Sequence, residues 1–181
     1  MAVQTKMTAK EFLQLPESLT LTELIDGELI MAPAPVPKHQ LTSAHLYDTV
    51  KAIAPGGTII FAPIDVYFTE TDVVQPDLLW IAPEGQCKIG EKYLSGAPDL
   101  IVEVLSPSTA LRDKQGKFRL YEKHGVREYW IIEPTAQYIE VWVRADEKFT
   151  LHGVFGAGET FTSIVLGQKT VEVASIFGVQ P

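Results

Sequence analysis

The stretch that decides the fold is Ala-Pro-Asp-Leu-Ile-Val-Glu-Val-Leu-Ser-Pro-Ser, residues 97–108. Positions 99 to 105 are almost continuously apolar, which is typical of a strand buried on both faces of a sheet. Glu103 stands inside this run, between Val102 and Val104. An ionised carboxylate out of water is costly unless it is paired or binds a cation. The run therefore predicts a central strand whose acid has a task other than packing.

A second acid, Asp77, begins an earlier strand-like run that ends at Ile81. The separation from Glu103 leaves room for one strand, an excursion and a return to a neighbouring strand. Two acids that converge on adjacent strands would make an oxygen-rich site of the kind that Mg²⁺ or Mn²⁺ prefers. Plainer explanations remain: Asp77 as a turn residue after Pro76, and Glu103 as a buried acid paired with a lysine or an arginine.

A lysine follows on the next predicted element, a helix over residues 109–124 that Gly125 ends. Lys117 has Asp113 four residues before it and Tyr121 four residues after it, so all three share one helix face. A lysine beside two metal-binding acids would stabilise the negative charge that builds up during phosphodiester hydrolysis. The alternative for Lys117 is a solvated ion pair with Asp113.

The rest of the chain predicts short strands and a few helices. The predicted elements are a helix at 8–15 capped by Thr8, a hairpin at 24–31 with an Asp-Gly turn, a loop at 33–37, a helix at 39–54, strands at 58–61 and 64–68, a polar and partly helical loop at 83–94, a hairpin formed by 128–132 and 138–144, and strand-like pieces at 151–154 and 171–173. The fold class is therefore α+β, a sheet with a helix packed on each face.

No repeat, low-complexity tract or linker divides the 181 residues, so one domain is expected. Within it we expect an N-terminal helix and hairpin at 8–31, a catalytic core at about 39–144 and C-terminal strands at 145–181.

Bulk properties limit the function classes. The net charge of −8 and the pI near 5.0 argue against general coating of nucleic acid, although a local cleft with bound cations can offset an acidic shell. The single cysteine, Cys87, excludes an internal disulfide and a cysteine-based zinc cluster. With no apolar run that could span a membrane and no visible secretory signal, we expect a cytoplasmic protein with no membrane partner.

Two serines and two histidines are weaker candidates. Ser106 and Ser108 favour a strand-to-helix turn over a nucleophile, because no glycines of a nucleophile elbow surround them. His39 and His45 do not share a helix face, so we expect one to be exposed and the other to be satisfied by packing. A serine hydrolase is therefore the weakest of the functional alternatives.

At these residues the chain resembles the Uma2 family of endonucleases, within the PD-(D/E)XK nuclease superfamily. The matching positions are 23–29, His39, 76–77, 96–108, Asp113, Lys117, Tyr121, 125–126 and 128–132. The resemblance implies a restriction-endonuclease-like core, with a mixed sheet flanked by helices. It also implies that Asp77 and Glu103 are the metal-binding acids. The superfamily places a lysine two residues after the second acid, where this chain has Leu105. The resemblance suggests that Lys117, on the following helix, takes the place of that lysine.

The first hypothesis is a Mg²⁺- or Mn²⁺-dependent endonuclease that hydrolyses DNA. Its site consists of Asp77 and Glu103 as metal ligands, Lys117 as the third catalytic residue, and Glu28, Asp113 and Tyr121 as supporting residues. Of the hairpin acids Glu23, Asp26 and Glu28, at least two are expected to be plain surface acids. The second hypothesis is a catalytically inactive nuclease-fold protein that binds nucleic acid or protein, which Leu105 and the net charge favour. A homodimer is expected by symmetry alone.

Overall fold

The computed structural model describes residues 6–16, 21–106 and 113–179 of the chain. Its helices are α1 (Ala9–Phe12), α2 (Pro37–Ile53), a π-helical segment (Asp113–Lys117) that continues into α3 (Phe118–His124), and α4 (Val173–Ile176). Its strands are β1 (Leu21–Ile25), β2 (Glu28–Ala32), β3 (Thr58–Phe61), β4 (Val66–Thr69), β5 (Asp72–Val74), β6 (Leu78–Ile81), β7 (Lys88–Ile89), β8 (Leu94–Ser95), β9 (Leu100–Val104), β10 (Glu128–Glu133), β11 (Tyr138–Ala145), β12 (Lys148–Gly156), β13 (Thr160–Ser163) and β14 (Lys169–Glu172).

The main sheet has the strand order β12-β11-β10-β9-β6-β3. It is mixed, because β9 and β10 run parallel while the other neighbours are antiparallel. All five residues of β9 are buried, as the apolar run around Glu103 predicts. The α+β fold class and the mixed sheet are thus confirmed, and the division into one domain stays a prediction.

A second six-stranded sheet, with the order β2-β1-β5-β4-β8-β7, was not predicted. The strand β5 was missed because it has only three residues. The expected partial helix at 83–94 is wrong: this stretch holds the two-residue strands β7 and β8, which pair with each other. Strands this short are too brief for an alternating pattern to be read from the sequence.

The three predicted helices begin and end close to their predicted positions, with local reasons for the differences, whereas α4 was not predicted. The first is shorter than predicted, but Thr8 and Glu11 form the expected capping box. The helix α2 begins at Pro37 rather than at residue 39, because proline is tolerated in a first helical turn. The helix predicted from residue 109 is described only from Asp113, and Gly125 ends it in the left-handed conformation at φ 88°.

Alternation along the strands sorts the core onto the two faces of the main sheet. Leu100 and Val102 pack in the cluster that includes Leu46 and Val50 of α2, whereas Ile101 packs in the opposite cluster with α3. Because successive side chains of a strand point to opposite faces, Glu103 shares the face of Ile101. The sheet therefore directs the Glu103 side chain toward α3. No helix among the described residues is long and apolar enough to cross a membrane.

One turn residue is fixed by close backbone packing at the edge of the main sheet. Gly57 has φ 77°, and a Cβ there would clash with the carbonyl oxygen of Ile81 and approach Nε1 of Trp80 at 2.9 Å. Gly57→Ala is therefore expected to lower the free energy of unfolding by at least about 2 kcal/mol in chemical denaturation. Gly158→Ala is the control, because a Cβ at that position meets open space. Equal stability of the two variants would contradict the packing described here.

Candidate active site

A buried ion pair joins the central strand to the helix that follows it. Lys117 Nζ lies 3.1 Å from Glu103 Oε1 and 3.2 Å from Glu103 Oε2. The hydroxyl of Tyr121 donates a hydrogen bond of 2.6 Å to Glu103 Oε1. All three residues are buried, with relative exposures of 4% for Glu103, 5% for Lys117 and 0% for Tyr121. Lys117 is therefore not a solvated surface lysine.

The position of the lysine follows from the local helix geometry. Lys117 is the last residue of the π-helical segment, and Tyr121 lies one turn later in α3. Residues four apart on a helix lie on the same side, so both polar groups face β9 together. A π-helical turn inside an α-helix is rare and frequently lies at a functional site.

A second carboxylate reaches the same ammonium group from the other sheet. Glu23 of β1 is buried, and its Oε1 lies 2.8 Å from Lys117 Nζ. The same oxygen accepts a hydrogen bond of 2.7 Å from the backbone N–H of Gln75. The side chain of Gln75 in turn donates a bond of 2.7 Å to Asp65. Glu23 is thus fixed by contacts on two sides.

Sequence reasoning missed Glu23, although a signal was present. The turn at Asp26 and Gly27, with φ 49° and 77°, fixes the register in which Glu23 faces Ile30. Alternation then places Glu23 on the same face of β1 as Ile25, which packs against the core cluster of α3. An acid that shares a strand face with a core residue is a candidate for burial.

The electrostatics of the cluster favour a cation. Burial, together with the nearby charges of Glu103 and Glu23, raises the pKa of Tyr121 well above its ordinary value. The hydroxyl therefore stays protonated and donates a hydrogen bond to Glu103. Burial also raises the pKa of Asp65, to which the charge of Glu23 contributes. Among the described residues, two carboxylates face one ammonium group in this cluster, which leaves one formal negative charge.

Asp77 directly precedes β6, the strand that pairs with β9. Leu78 pairs with Val102, so the same antiparallel register brings Asp77 opposite Glu103. Its Oδ2 accepts a hydrogen bond of 2.7 Å from the backbone N–H of Val104. Asp77 thus reaches the backbone of β9 directly next to Glu103. That the two carboxylates are close enough to share a cation stays a prediction.

A histidine from α2 is the second residue that sequence reasoning set aside. His39 is buried, and its Nε2 lies 3.3 Å from Asp77 Oδ2. His45, by contrast, is exposed. One histidine is packed and the other is exposed, as expected, but the packed one contacts a candidate metal ligand. Such a contact orients the carboxylate, as outer contacts commonly do around metal sites.

The other candidate residues lie elsewhere or outside the described part of the chain. Glu28 is exposed on β2, so Glu23 rather than Glu28 is the hairpin acid beside Lys117. The backbone of Asp113 belongs to the π-helical segment, but its side chain lies outside the described part. Ser108 also lies outside the described residues. Leu105 is buried in the apolar cluster of α3.

The family model described as "Uma2: Putative restriction endonuclease" matches residues 9–173 of this chain. The chain belongs to the Uma2 family. A crystal structure from Anabaena variabilis, described as "a putative nuclease belonging to DUF820", superposes with a TM-score of 0.76 and 22% sequence identity. It covers 95% of this chain and 98% of that one, and at this identity it shows that the fold is shared.

A curated relative is similar over a shorter stretch. The "Uncharacterized protein slr1290" of Synechocystis sp. is 41% identical over 51 residues, which cover 28% of this chain. The match spans 27% of the relative's own length. The match therefore covers a short part of both chains and adds no function.

The donor set of this Uma2 protein fits a hard divalent cation. Among the described residues, no group of three or more His, Cys, Asp or Glu side chains is arranged to hold a metal. Mg²⁺ does not need such a group, since it commonly keeps several waters and binds through one or two carboxylates. Asp77, directly before β6, and Glu103, in the adjacent strand β9, supply two carboxylates.

The two partners of Lys117 predict how the Uma2 site responds to loss of one charge. Glu103→Gln keeps the side-chain volume and leaves Glu23 2.8 Å from the ammonium group, so no buried charge loses its last partner. We expect the free energy of unfolding in metal-free buffer to change by less than about 1 kcal/mol. A loss of roughly 3–5 kcal/mol in thermal or chemical unfolding would instead indicate a stranded lysine.

Proposed function

We propose that this Uma2 protein is a Mg²⁺- or Mn²⁺-dependent endonuclease that hydrolyses phosphodiester bonds in DNA. The observation that carries the proposal is the buried contact between Lys117 and Glu103, at 3.1 Å and 3.2 Å. The superfamily pattern places an acid and a lysine side by side on one strand. Here Leu105 occupies the lysine position, and Lys117 brings the ammonium group to the acid from the helix. The family description and the shared fold support a nuclease.

A divalent cation would be held by Asp77 and Glu103, where it would polarise the scissile phosphate and lower the pKa of an attacking water. The remaining work falls to side chains of the chain itself. Lys117 supplies a fixed positive charge where negative charge develops on the phosphate oxygens. Tyr121 orients Glu103 through its hydrogen bond, and His39 orients Asp77. Burial of the cluster strengthens each of these contacts, because water screens them less.

Metal dependence is the first test of the proposal. Purified protein should cleave DNA in Mg²⁺ or Mn²⁺ and lose the activity in EDTA. Asp77→Asn and Glu103→Gln should each abolish cleavage, because each removes an anionic ligand of the metal. For the same reason, each should abolish or weaken Mn²⁺ binding measured by calorimetry. Glu84→Gln, at an exposed glutamate, is the matched control and should behave as wild type. Cleavage that persists in EDTA would contradict the proposal.

The lysine provides a second, independent test. Lys117→Ala should lower the single-turnover cleavage rate by a factor on the order of 10² or more, as for the loss of one transition-state donor. Lys117→Arg should restore little of the rate, because a planar guanidinium does not replace a compact ammonium group.

The control for Lys117 is a lysine in a surface ion pair. Lys148 pairs with Glu122 at 3.0 Å while its side chain is 76% exposed. Lys148→Ala should leave the cleavage rate unchanged. If Lys117→Ala cleaves as fast as wild type while Glu103→Gln is inactive, Lys117 is a structural partner only.

A second candidate function is a catalytically inactive nuclease-fold protein that binds nucleic acid or protein. It is favoured by the engagement of Lys117 with both oxygens of Glu103, which is also the arrangement of a closed structural ion pair. The net charge of −8 favours it as well. Failure of the wild-type protein to bind Mn²⁺ or to cleave DNA in any divalent metal would select this candidate.

The assembly and the location stay predictions within the proposal. Nucleases that cut both strands commonly act as two-fold dimers, and we propose a homodimer on that ground. Sedimentation of the purified protein with and without DNA tests it. We also propose that the protein acts in the cytoplasm, which cell fractionation tests.

A further inference from the structure

The ammonium group of Lys117 is shared by two carboxylates that come from different sheets. Glu103 belongs to β9 of the main sheet, and Glu23 belongs to β1 of the second sheet. The shortest contact is with Glu23, at 2.8 Å, against 3.1 Å and 3.2 Å for the Glu103 oxygens. A structural ion pair that only neutralises Glu103 would not require the second acid.

The second acid becomes necessary once Glu103 takes another cation. A carboxylate that binds a divalent cation can no longer hold an ammonium group equally well, since the two positive charges repel each other in a poorly screened environment. Without a second anchor, the lysine side chain would be driven away from the site. Its flexible four-carbon stem would allow that movement.

We infer that Glu23 is a positioning residue, which retains Lys117 beside the reaction site while Glu103 binds the metal. The inference rests on the proposed function, because it requires a cation on Glu103. It assigns to Glu23 a task in the metal-bound state and not merely in the stability of the metal-free fold.

The surroundings of Glu23 suit that task. Its Oε1 accepts a hydrogen bond of 2.7 Å from the backbone N–H of Gln75, which holds the carboxylate in place. Gln75 lies two residues before Asp77 in the sequence, and one short segment therefore fixes both Glu23 and the candidate ligand Asp77. Glu23 is only 7% exposed, which keeps water from competing for the ammonium group.

The test uses two substitutions at Glu23 and one control. Glu23→Gln keeps the size and the hydrogen-bond acceptor for Gln75 but removes the charge. Glu23→Asp keeps the charge but withdraws it from Lys117 by one methylene. Glu91→Gln, at an exposed glutamate in the loop between β7 and β8, is the control. Thermal unfolding of each variant in metal-free buffer verifies that it is folded.

The first readout is independent of cleavage. The Lys117 amine is probed with an amine-acylating reagent, and its modification is quantified by peptide mass spectrometry with and without Mn²⁺. We expect the wild-type amine and the Glu91→Gln amine to be protected in both conditions. In Glu23→Gln, Mn²⁺ should raise the modification of Lys117 at least about tenfold, since residue 23 no longer carries a negative charge and Glu103 binds the metal. In Glu23→Asp the increase should be smaller.

The second readout is kinetic. Glu23→Gln should lower kcat about tenfold or more with little change in KM, and Glu23→Asp should recover part of kcat. A structural role alone would not make the protection of Lys117 depend on metal. Equal protection of Lys117 in Glu23→Gln and wild type in Mn²⁺ would overturn the inference, as would failure of the wild-type protein to bind Mn²⁺. If wild type cleaves nothing although the metal-dependent exposure of Lys117 is found, the nuclease proposal fails and the positioning role stands.

Discussion

The buried ammonium group of Lys117 is the interaction on which the arrangement of the site depends. Glu103 and Glu23 approach each other from two sheets, and without a cation between them their charges would repel in a poorly hydrated environment. The lysine makes it possible for both sheets to present an acid at the same place. Tyr121 satisfies a further acceptor position of Glu103, as a buried carboxylate requires. The cluster is therefore a structural junction as well as a candidate site.

The two sheets explain why the site lies where it does. The main sheet supplies Glu103 from a strand that is buried along its whole length, and α3 covers the face toward which that side chain points. The second sheet supplies Glu23 through a hairpin whose Asp26-Gly27 turn fixes its register. The segment that leads from β5 into β6 connects the two sheets and holds Glu23 through Gln75. Any displacement of one sheet relative to the other would therefore disturb the ion pair, which links stability to the geometry of the site.

The sequence predicted those parts that depend on local pattern. An apolar run with one acid is sufficient to predict β9 and the burial of Glu103, because a nearly continuous apolar run is typical of a strand buried on both faces. The helical position of Lys117 could be predicted from its spacing to Tyr121. The contact of Lys117 with Glu23 could not be predicted, because it joins a helix to a strand of the second sheet. It also depends on the pairing of β1 with β5, which cannot be predicted from strands this short. The contact of His39 with Asp77 is equally non-local, because it forms only when α2 packs beside the end of β6.

The replacement of a strand lysine by a helix lysine has a physical rationale in this fold. Position 105 lies on the same face of β9 as Glu103, but here that face continues into the apolar cluster of α3, where Leu105 is 3% exposed. A lysine at position 105 would have to bury its stem and charge in that cluster, whereas Lys117 approaches Glu103 from the opposing helix. From the helix, the ammonium group also reaches Glu23. The proposed chemistry constrains the position of the positive charge in space. A fold can place that charge from a strand or from a helix.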